Sequence, residues 1–171
     1  DKVVFTGSAR VGKNVLRDLA SQITPATAEL SGNDAVFVLE GADLDLVVRA
    51  LEFGLTLNNG ATCISPRRLF AMPGIAEELE RKLRERARHL PACRPDDGSA
   101  ERASKLVEEA VKQGASFLSP APEPGQTRGP EIITDASPDM KLLQEDIFAP
   151  VLAIVRVEGQ TEALKADAKC P

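Results

Sequence analysis

Residues 35–72 read AVFVLEGADLDLVVRALEFGLTLNNGATCISPRRLFAM, and this stretch decides the fold. Apolar residues run together over 35–39 and again over 69–72, and with the two arginines before the second run they predict strands over 35–39 and 67–72. Between them, Asp43 is placed to cap a helix, and apolar residues recur behind it at helical spacing. That apolar set is Leu44, Val47, Val48, Leu51 and Leu55. A strand, a helix and a second strand in this order predict a parallel βαβ unit.

The same alternation continues outward in both directions. We predict strands over 3–5, 26–30, 116–118, 132–133 and 151–157, and helices through Val11 to Leu19, from Pro73 to about Leu90, over 100–113 and over 162–169. The strands over 26–30 and 35–39 are predicted to be buried, and 91–98 and 120–130 to be loops. Strands that alternate with helices indicate an α/β protein with a largely parallel sheet and flanking helices.

Composition narrows the class of protein. A chain of 171 residues with 43% hydrophobic and 27% charged residues is typical of a globular protein with one ordinary domain or two incomplete ones. A net charge of -5 argues against nucleic-acid binding, which usually needs a basic face. The basic run over 81–88 is interleaved with glutamates and is interpreted as a solvated helix face.

Cysteine and histidine usage indicates the compartment. Three cysteines without paired spacing are not a disulfide framework, and a single histidine makes a structural zinc site unexpected. No signal peptide and no run of about 20 apolar residues is apparent. We therefore expect a reducing, cytoplasmic compartment and no membrane partner.

Cys63 is the candidate nucleophile. It follows the Asn58–Gly60 turn and precedes a basic apolar strand, where a fold can present a thiol to a substrate. A thiolate is a good nucleophile when backbone N–H groups or positive charge stabilise it, and Arg67 and Arg68 supply such charge. The alternative is that Cys63 is a small buried hydrophobic residue. Cys93 and Cys170 are interpreted as bystanders.

Three further segments carry candidate chemistry. Glu29 ends a predicted strand beside glycine, where a carboxylate can act as a general base, although an ordinary exposed glutamate is the alternative. Gly7 to Gly12 joins a strand to a helix, and the backbone N–H groups at such a helix start suit a phosphate. The acidic pair at 145–146 precedes a strand and suits either ribose hydroxyls or a turn cap.

Taken together, these segments resemble the NAD(P)-dependent aldehyde dehydrogenase superfamily, over essentially the whole chain. Residues 5–12 resemble its F-T-G-S-x-x-x-G cofactor turn, and 29–33 resemble its E-L-G-G-K general-base motif. Residues 43–45 resemble its A-D-L-D segment, 58–68 its N-x-G-Q-x-C nucleophile motif, and 145–151 its E-E-I-F-G-P-V motif. The substituted positions within these motifs are Ser31, Asn33, Ala61, Asp146 and Ala149.

The resemblance implies an oxidoreductase that converts an aldehyde to a carboxylic acid with NAD or NADP. Cys63 would form the thioacyl intermediate, and Glu29 would activate the water that releases the acid. The cofactor-binding residues that the resemblance implies are Gly7, Ser8, Gly12, Asp146 and Phe148. Release by coenzyme A instead of water stays open, as does the choice between NAD and NADP.

The resemblance also implies a division of the chain. Residues 1–30 correspond to the end of the cofactor-binding domain and 31–171 to most of the catalytic, thiol-bearing domain, so we expect a fragment truncated at both ends. We expect weak or no turnover from it alone, and self-association into a homo-oligomer because a cut sheet exposes strand edges. Two alternatives remain: a non-catalytic assembly or ligand-binding module derived from a dehydrogenase, and a cofactor-independent thiol esterase or thioesterase.

Overall fold

The computed structural model describes residues 1–119 and 129–170. The predicted loop over 120–130 therefore lies outside the described residues up to residue 128. The chain divides into two compact units, Asp1–Gly32 and the part from Asn33 onward. Each unit is described by itself below.

The first unit is a βαβ motif. It consists of β1 (Val3–Gly7), α1 (Ala9–Ser21) and β2 (Ala26–Leu30). The two strands pair in parallel. Helix α1 begins after Ser8, whose hydroxyl accepts a hydrogen bond from the Val11 N–H at 3.4 Å, so Ser8 is an N-cap.

The second unit is built around a five-stranded sheet in the order β3-β4-β7-β6-β5. All of its strand pairs are parallel except β5 with β6, so the predicted α/β class with a largely parallel sheet is confirmed. The strands are β3 (Asp34–Val38), β4 (Pro66–Ala71), β5 (Ser116–Phe117), β6 (Glu131–Thr134) and β7 (Val151–Arg156). The helices are α2 (Leu44–Thr56), α3 (Pro73–Ala87), α4 (Asp97–Lys112), α5 (Lys141–Gln144) and α6 (Gln160–Asp167).

Helices cover both faces of this sheet. One core lies under α2 and α3 and contains Leu69 and Ile154 from the central strands β4 and β7. The other lies under α4, α5 and α6 and contains Phe70 and Val155. Neighbouring residues of each strand therefore enter opposite cores, as the period of two in a strand requires. Strands buried on both faces are expected to be continuously apolar. Strand β7 is so up to Arg156, whereas β4 carries two buried arginines before its apolar half.

Two predictions about burial were wrong. The strand β2 contains no fully buried residue, and in β3 only Val38 is buried. In the first unit, two strands and one helix leave much of each strand uncovered. In the second unit, β3 lies at the edge of its sheet, where an apolar run is only partly covered.

Some element boundaries also differ from those predicted. Helix α4 begins at Asp97 rather than 100, because the Asp96 carboxylate accepts the Ser99 N–H at 3.0 Å and caps the helix there. Helix α3 ends at Ala87, three residues early, and α6 is shifted by two residues towards the N-terminus. The short helix α5 was not predicted, because four residues are too few to show a helical period. Within the described residues, no helix is long and apolar enough to cross a bilayer.

Candidate active site

Cys63 lies on a loop between α2 and β4, and its side chain is exposed. A short 3₁₀ turn, Leu57–Gly60, leads into this loop. Asn58, Asn59 and Gly60 have φ angles of 49°, 58° and 75°, which lie in the left-handed region that asparagine and glycine tolerate best. The Asn58–Gly60 turn predicted from the sequence is therefore present, and its composition suits its backbone.

Local hydrogen bonds fix the conformation of the Cys63 loop. The Asn58 side-chain amide donates to the Ala61 carbonyl at 3.0 Å. Further along, the buried Ser65 hydroxyl donates to the Gly54 carbonyl of α2, also at 3.0 Å. The first bond closes the turn before Cys63, and the second attaches the segment after Cys63 to helix α2.

Gly60 brings this loop against a second one, the segment 145–150 before β7. A Cβ atom added at Gly60 would lie 2.6 Å from the Pro150 Cα and N atoms. Backbone atoms of Pro150 cannot rotate away from such a contact, so only glycine fits at this position.

Arg67 links the same two loops through its side chain. Its Nη2 donates to the Gly60 carbonyl at 2.6 Å and to the Thr62 carbonyl at 3.4 Å, and its Nη1 donates to the Ala149 carbonyl. The residue is only 4% exposed. Burial lowers the pKa of Arg67 to about 10, and the charges of Asp146 and Asp34 oppose that lowering, so the guanidinium stays charged at neutral pH.

Arg68 has a different set of partners. Its Nε and Nη2 donate to the Asn33 carbonyl at 2.9 and 2.5 Å, and its Nη1 pairs with the Asp167 carboxylate at 2.6 Å. Asn33 in turn donates from its side chain to the Leu143 carbonyl at 2.6 Å. Arg68 therefore ties β4 to the start of β3 and to α6.

Unpartnered polar atoms gather at one edge of the sheet. Within the described residues, four buried side-chain atoms lack a hydrogen-bond partner: Asn33 Oδ1, Thr62 Oγ1, Arg67 Nε and Asp146 Oδ1. They lie before or at the start of β3, β4 and β7, which are parallel neighbours, so all four belong to the amino-terminal edge. Buried polar atoms are normally hydrogen-bonded, and a group of exceptions marks a place where a polar ligand or water can bind.

The first unit places its own candidate residues together. Thr6 pairs with Glu29 and Gly7 with Leu30, so the carboxyl ends of β1 and β2 meet and the exposed Glu29 lies beside the Gly7–Ser8 turn. Gly12 is buried, and an added Cβ would lie 2.6 Å from the Leu30 Cδ2 atom. Gly12 thus lets α1 pack closely on β2.

The structure therefore groups the predicted residues into two sets. Cys63, Asp146 and Phe148 lie on two loops that meet in the second unit, while Glu29 accompanies the Gly7–Ser8 turn in the first. Their roles as nucleophile, base and cofactor-binding residues stay predictions.

An apolar groove adjoins the Cys63 loop, and sequence reasoning missed it. It has a volume of about 430 Å³ and lies between α2, β3 and the loop. Both neighbours of Cys63, Thr62 and Ile64, line it. Its other lining residues include Leu46, Val47, Phe53, Leu57 and Pro66. Several of these side chains are exposed, Phe53 by 66% and Ile64 by 69%.

Comparison with known proteins gives the family. The profile of the aldehyde dehydrogenase family matches residues 1–169, and this chain belongs to that family. The resemblance inferred from the motifs is confirmed. A dimeric NADP-preferring aldehyde dehydrogenase from Mus musculus is 31% identical over 96% of this chain and 38% of its own length. A salicylaldehyde dehydrogenase from Pseudomonas sp. (strain C18) is 30% identical over 96% of this chain and 36% of its own length.

Solved structures agree with that assignment. An NADP-dependent glyceraldehyde-3-phosphate dehydrogenase from Bacillus halodurans C-125, complexed with NADP, matches with a TM-score of 0.91 and 28% identity over 99% of this chain and 37% of its own. A G224D mutant aldehyde dehydrogenase from Bacillus cereus matches with a TM-score of 0.87 and 28% identity over 99% of this chain and 38% of its own. The chain thus spans less than two fifths of the length of these relatives.

The surroundings of the cysteines predict a ranking of thiol reactivity. Cys93 is 3% exposed, and burial raises the pKa of its thiol, whereas Cys63 is exposed. Because the thiolate is the reactive form, iodoacetamide at pH 7.5 should label Cys63 roughly 100-fold faster than Cys93. A raised pKa leaves the Cys93 thiol protonated at neutral pH, so its labelling should increase as the pH rises towards that pKa. Peptide mapping by mass spectrometry measures both rates, and equal labelling would contradict the ranking.

Proposed function

We propose that this chain carries the thiol chemistry of an aldehyde dehydrogenase, in which Cys63 attacks an aldehyde that is oxidised to a carboxylic acid with NAD(P). The observation that carries the proposal is the exposed Cys63 thiol on a loop held by the buried Arg67, next to an apolar groove. Family membership supports the same reaction.

The proposed first step is addition of the Cys63 thiolate to the carbonyl carbon. A C–S bond forms, and the carbonyl π electrons move to the oxygen, which becomes an oxyanion. In the described part of the chain, the Cys63 backbone N–H has no acceptor, so it is available to donate to that oxyanion. A bound NAD(P)⁺ would supply the acceptor for the hydride that the adduct carbon must lose to become the thioester of Cys63.

The proposed second step is hydrolysis. Glu29 is proposed to take a proton from water, whose oxygen then bonds to the thioester carbon. The C–S bond breaks, the carboxylic acid leaves, and Cys63 regains its thiolate. Glu29 is exposed at the end of β2, which fits a group that must meet water.

The residues present fit a nucleotide cofactor at two places. Asp146 Oδ1 is buried without a hydrogen-bond partner in the described chain, which fits a ribose hydroxyl that donates to it. The Gly7–Ser8 turn opens α1 and fits a phosphate at the helix N-terminus. Phe148 is half-buried and is proposed to pack by the nicotinamide, and Gly12 to support the turn.

The groove beside Cys63 supports an aldehyde with an apolar substituent. Its lining is largely aliphatic and aromatic, and burying a hydrocarbon chain there would hold the aldehyde by the hydrophobic effect. Homo-oligomerisation stays part of the proposal, supported by the position of β3 at the edge of its sheet. A cytoplasmic location also stays a prediction, supported by the three free cysteines.

Protection of the thiol by aldehyde tests the proposal. Hexanal should slow labelling of Cys63 by iodoacetamide about fivefold at a concentration that leaves the half-buried Cys170 unaffected, because the groove adds binding energy only at Cys63. Hexan-1-ol, which lacks the carbonyl, is the matched control and should protect much less. Equal protection of Cys63 and Cys170, or none at Cys63, would rule the proposed chemistry out.

A further inference from the structure

Arg67 makes an unusual set of contacts for a buried cation. Within the described residues, its hydrogen bonds go to three backbone carbonyls, those of Gly60, Thr62 and Ala149. Two of these acceptors lie on the Cys63 loop and the third on the segment before β7. Bonds to a guanidinium are charge-assisted and directional, so one side chain sets the position of both loops.

The Cys63 loop has a backbone conformation that needs such a link. The Cys63 loop contains three consecutive residues with positive φ, including the two non-glycine residues Asn58 and Asn59. Backbone in this region is costly and persists only where its surroundings over-determine it. The charged donors of Arg67 bind the carbonyl of Gly60, the last of those three residues, and so stabilise the loop at its strained point.

The charges around Arg67 point in the same direction. Asp146 and Asp34 act on Arg67 through their charges, whereas within the described residues the hydrogen bonds of Arg67 go to backbone carbonyls and to neither carboxylate. Asp146 is therefore held near a positive charge while its Oδ1 stays available.

We propose that Arg67 is a positioning residue that fixes the spacing between the Cys63 thiol and the segment 145–150 before β7. The inference rests on the proposed function, because that spacing would set how the carbon bonded to Cys63 faces the hydride acceptor. Arg68 is adjacent in sequence but bonds to Asn33 and Asp167, so the two arginines have separate structural roles.

The test compares Arg67→Met with Arg67→Lys by amide hydrogen exchange. The reporter amides are those of Ala61 and Ser65 on the Cys63 loop, and of Val151 and Glu131, which bond to the Ala149 and Pro150 carbonyls. Arg67→Met should accelerate exchange about tenfold at both sets of amides, because the side chain that donates hydrogen bonds to both loops is gone. Arg67→Lys keeps the charge and fewer donors, and it should restore part of the protection.

Arg156→Met is the matched control. Arg156 pairs with the buried Glu80 at 2.7 Å and lies at the carboxyl end of β7, away from the Cys63 loop at the amino ends of the strands. It should lower the overall free energy of unfolding, and the two sets of reporter amides should exchange no faster, relative to wild type, than the other amides of the sheet. If Arg67→Met does not fold, Arg67→Lys against Arg156→Met carries the comparison.

Two results would overturn the positioning role. One is acceleration at only one of the two loops, and the other is acceleration no greater than in Arg156→Met at matched global stability. The hexanal experiment separates this inference from the proposed function. If hexanal does not protect Cys63 but Arg67→Met accelerates exchange at both loops, the proposed function alone is wrong. If hexanal protects Cys63 but the two loops do not respond together, the positioning role alone is wrong.

Discussion

Gly60→Ala is expected to lower the free energy of unfolding by about 3 kcal/mol. Two effects add at this position. The φ angle of 75° is unfavourable for any residue with a Cβ atom, and the new methyl group would meet the Pro150 backbone at 2.6 Å. Since Pro150 is buried and cannot yield by a side-chain rotation, the two loops must move apart. Urea denaturation followed by circular dichroism measures the loss.

Gly41→Ala is the control that separates these two effects. Gly41 has a similar φ angle of 82°, but an added Cβ there has nothing within 4 Å. It should cost only about 1 kcal/mol, the price of the left-handed backbone alone. Equal losses in the two variants would mean that the Pro150 contact contributes nothing to stability.

The fold was largely predictable from the sequence. Strand β3 and helix α2 carry patterns that predict their secondary structure locally. The strand has a run of apolar residues over 35–39, and the helix has Asp43 before helically spaced leucines and valines. The burial of β2 and β3 was not predictable in the same way. An apolar run shows what a strand could bury, whereas its place at the edge or centre of a sheet depends on pairing between distant residues.

The candidate site was predicted in its motifs but not in its supporting structure. Cys63 was identified from its turn and Asp146 from its motif. Arg67 was interpreted only as a source of positive charge, yet it donates hydrogen bonds to two loops separated by more than 80 residues in sequence. The available signal was its location, because a charged residue inside an apolar strand must find partners if it is buried. The identity of those partners could come only from the tertiary structure.

Affinity for straight-chain aldehydes is expected to rise with chain length. Full burial of a methylene group is worth about 0.8 kcal/mol, and the groove is partly open, so about half of that is expected. This corresponds to about twofold tighter binding per methylene and roughly 15-fold from butanal to octanal. The measurement is the aldehyde concentration that halves the rate of Cys63 labelling by iodoacetamide. A flat series would show that the groove does not receive the aldehyde chain.

Phe53→Asn should flatten that series, because Phe53 lines the groove and its ring is 66% exposed. A side chain so exposed contributes little to the core, so the variant should fold normally. Leu164→Asn is the matched control, since Leu164 is 62% exposed on α6 and does not line the groove. It should keep the wild-type dependence on chain length. If both variants flatten the series equally, the dependence arises from general surface hydrophobicity, and the groove is not the site of the aldehyde chain.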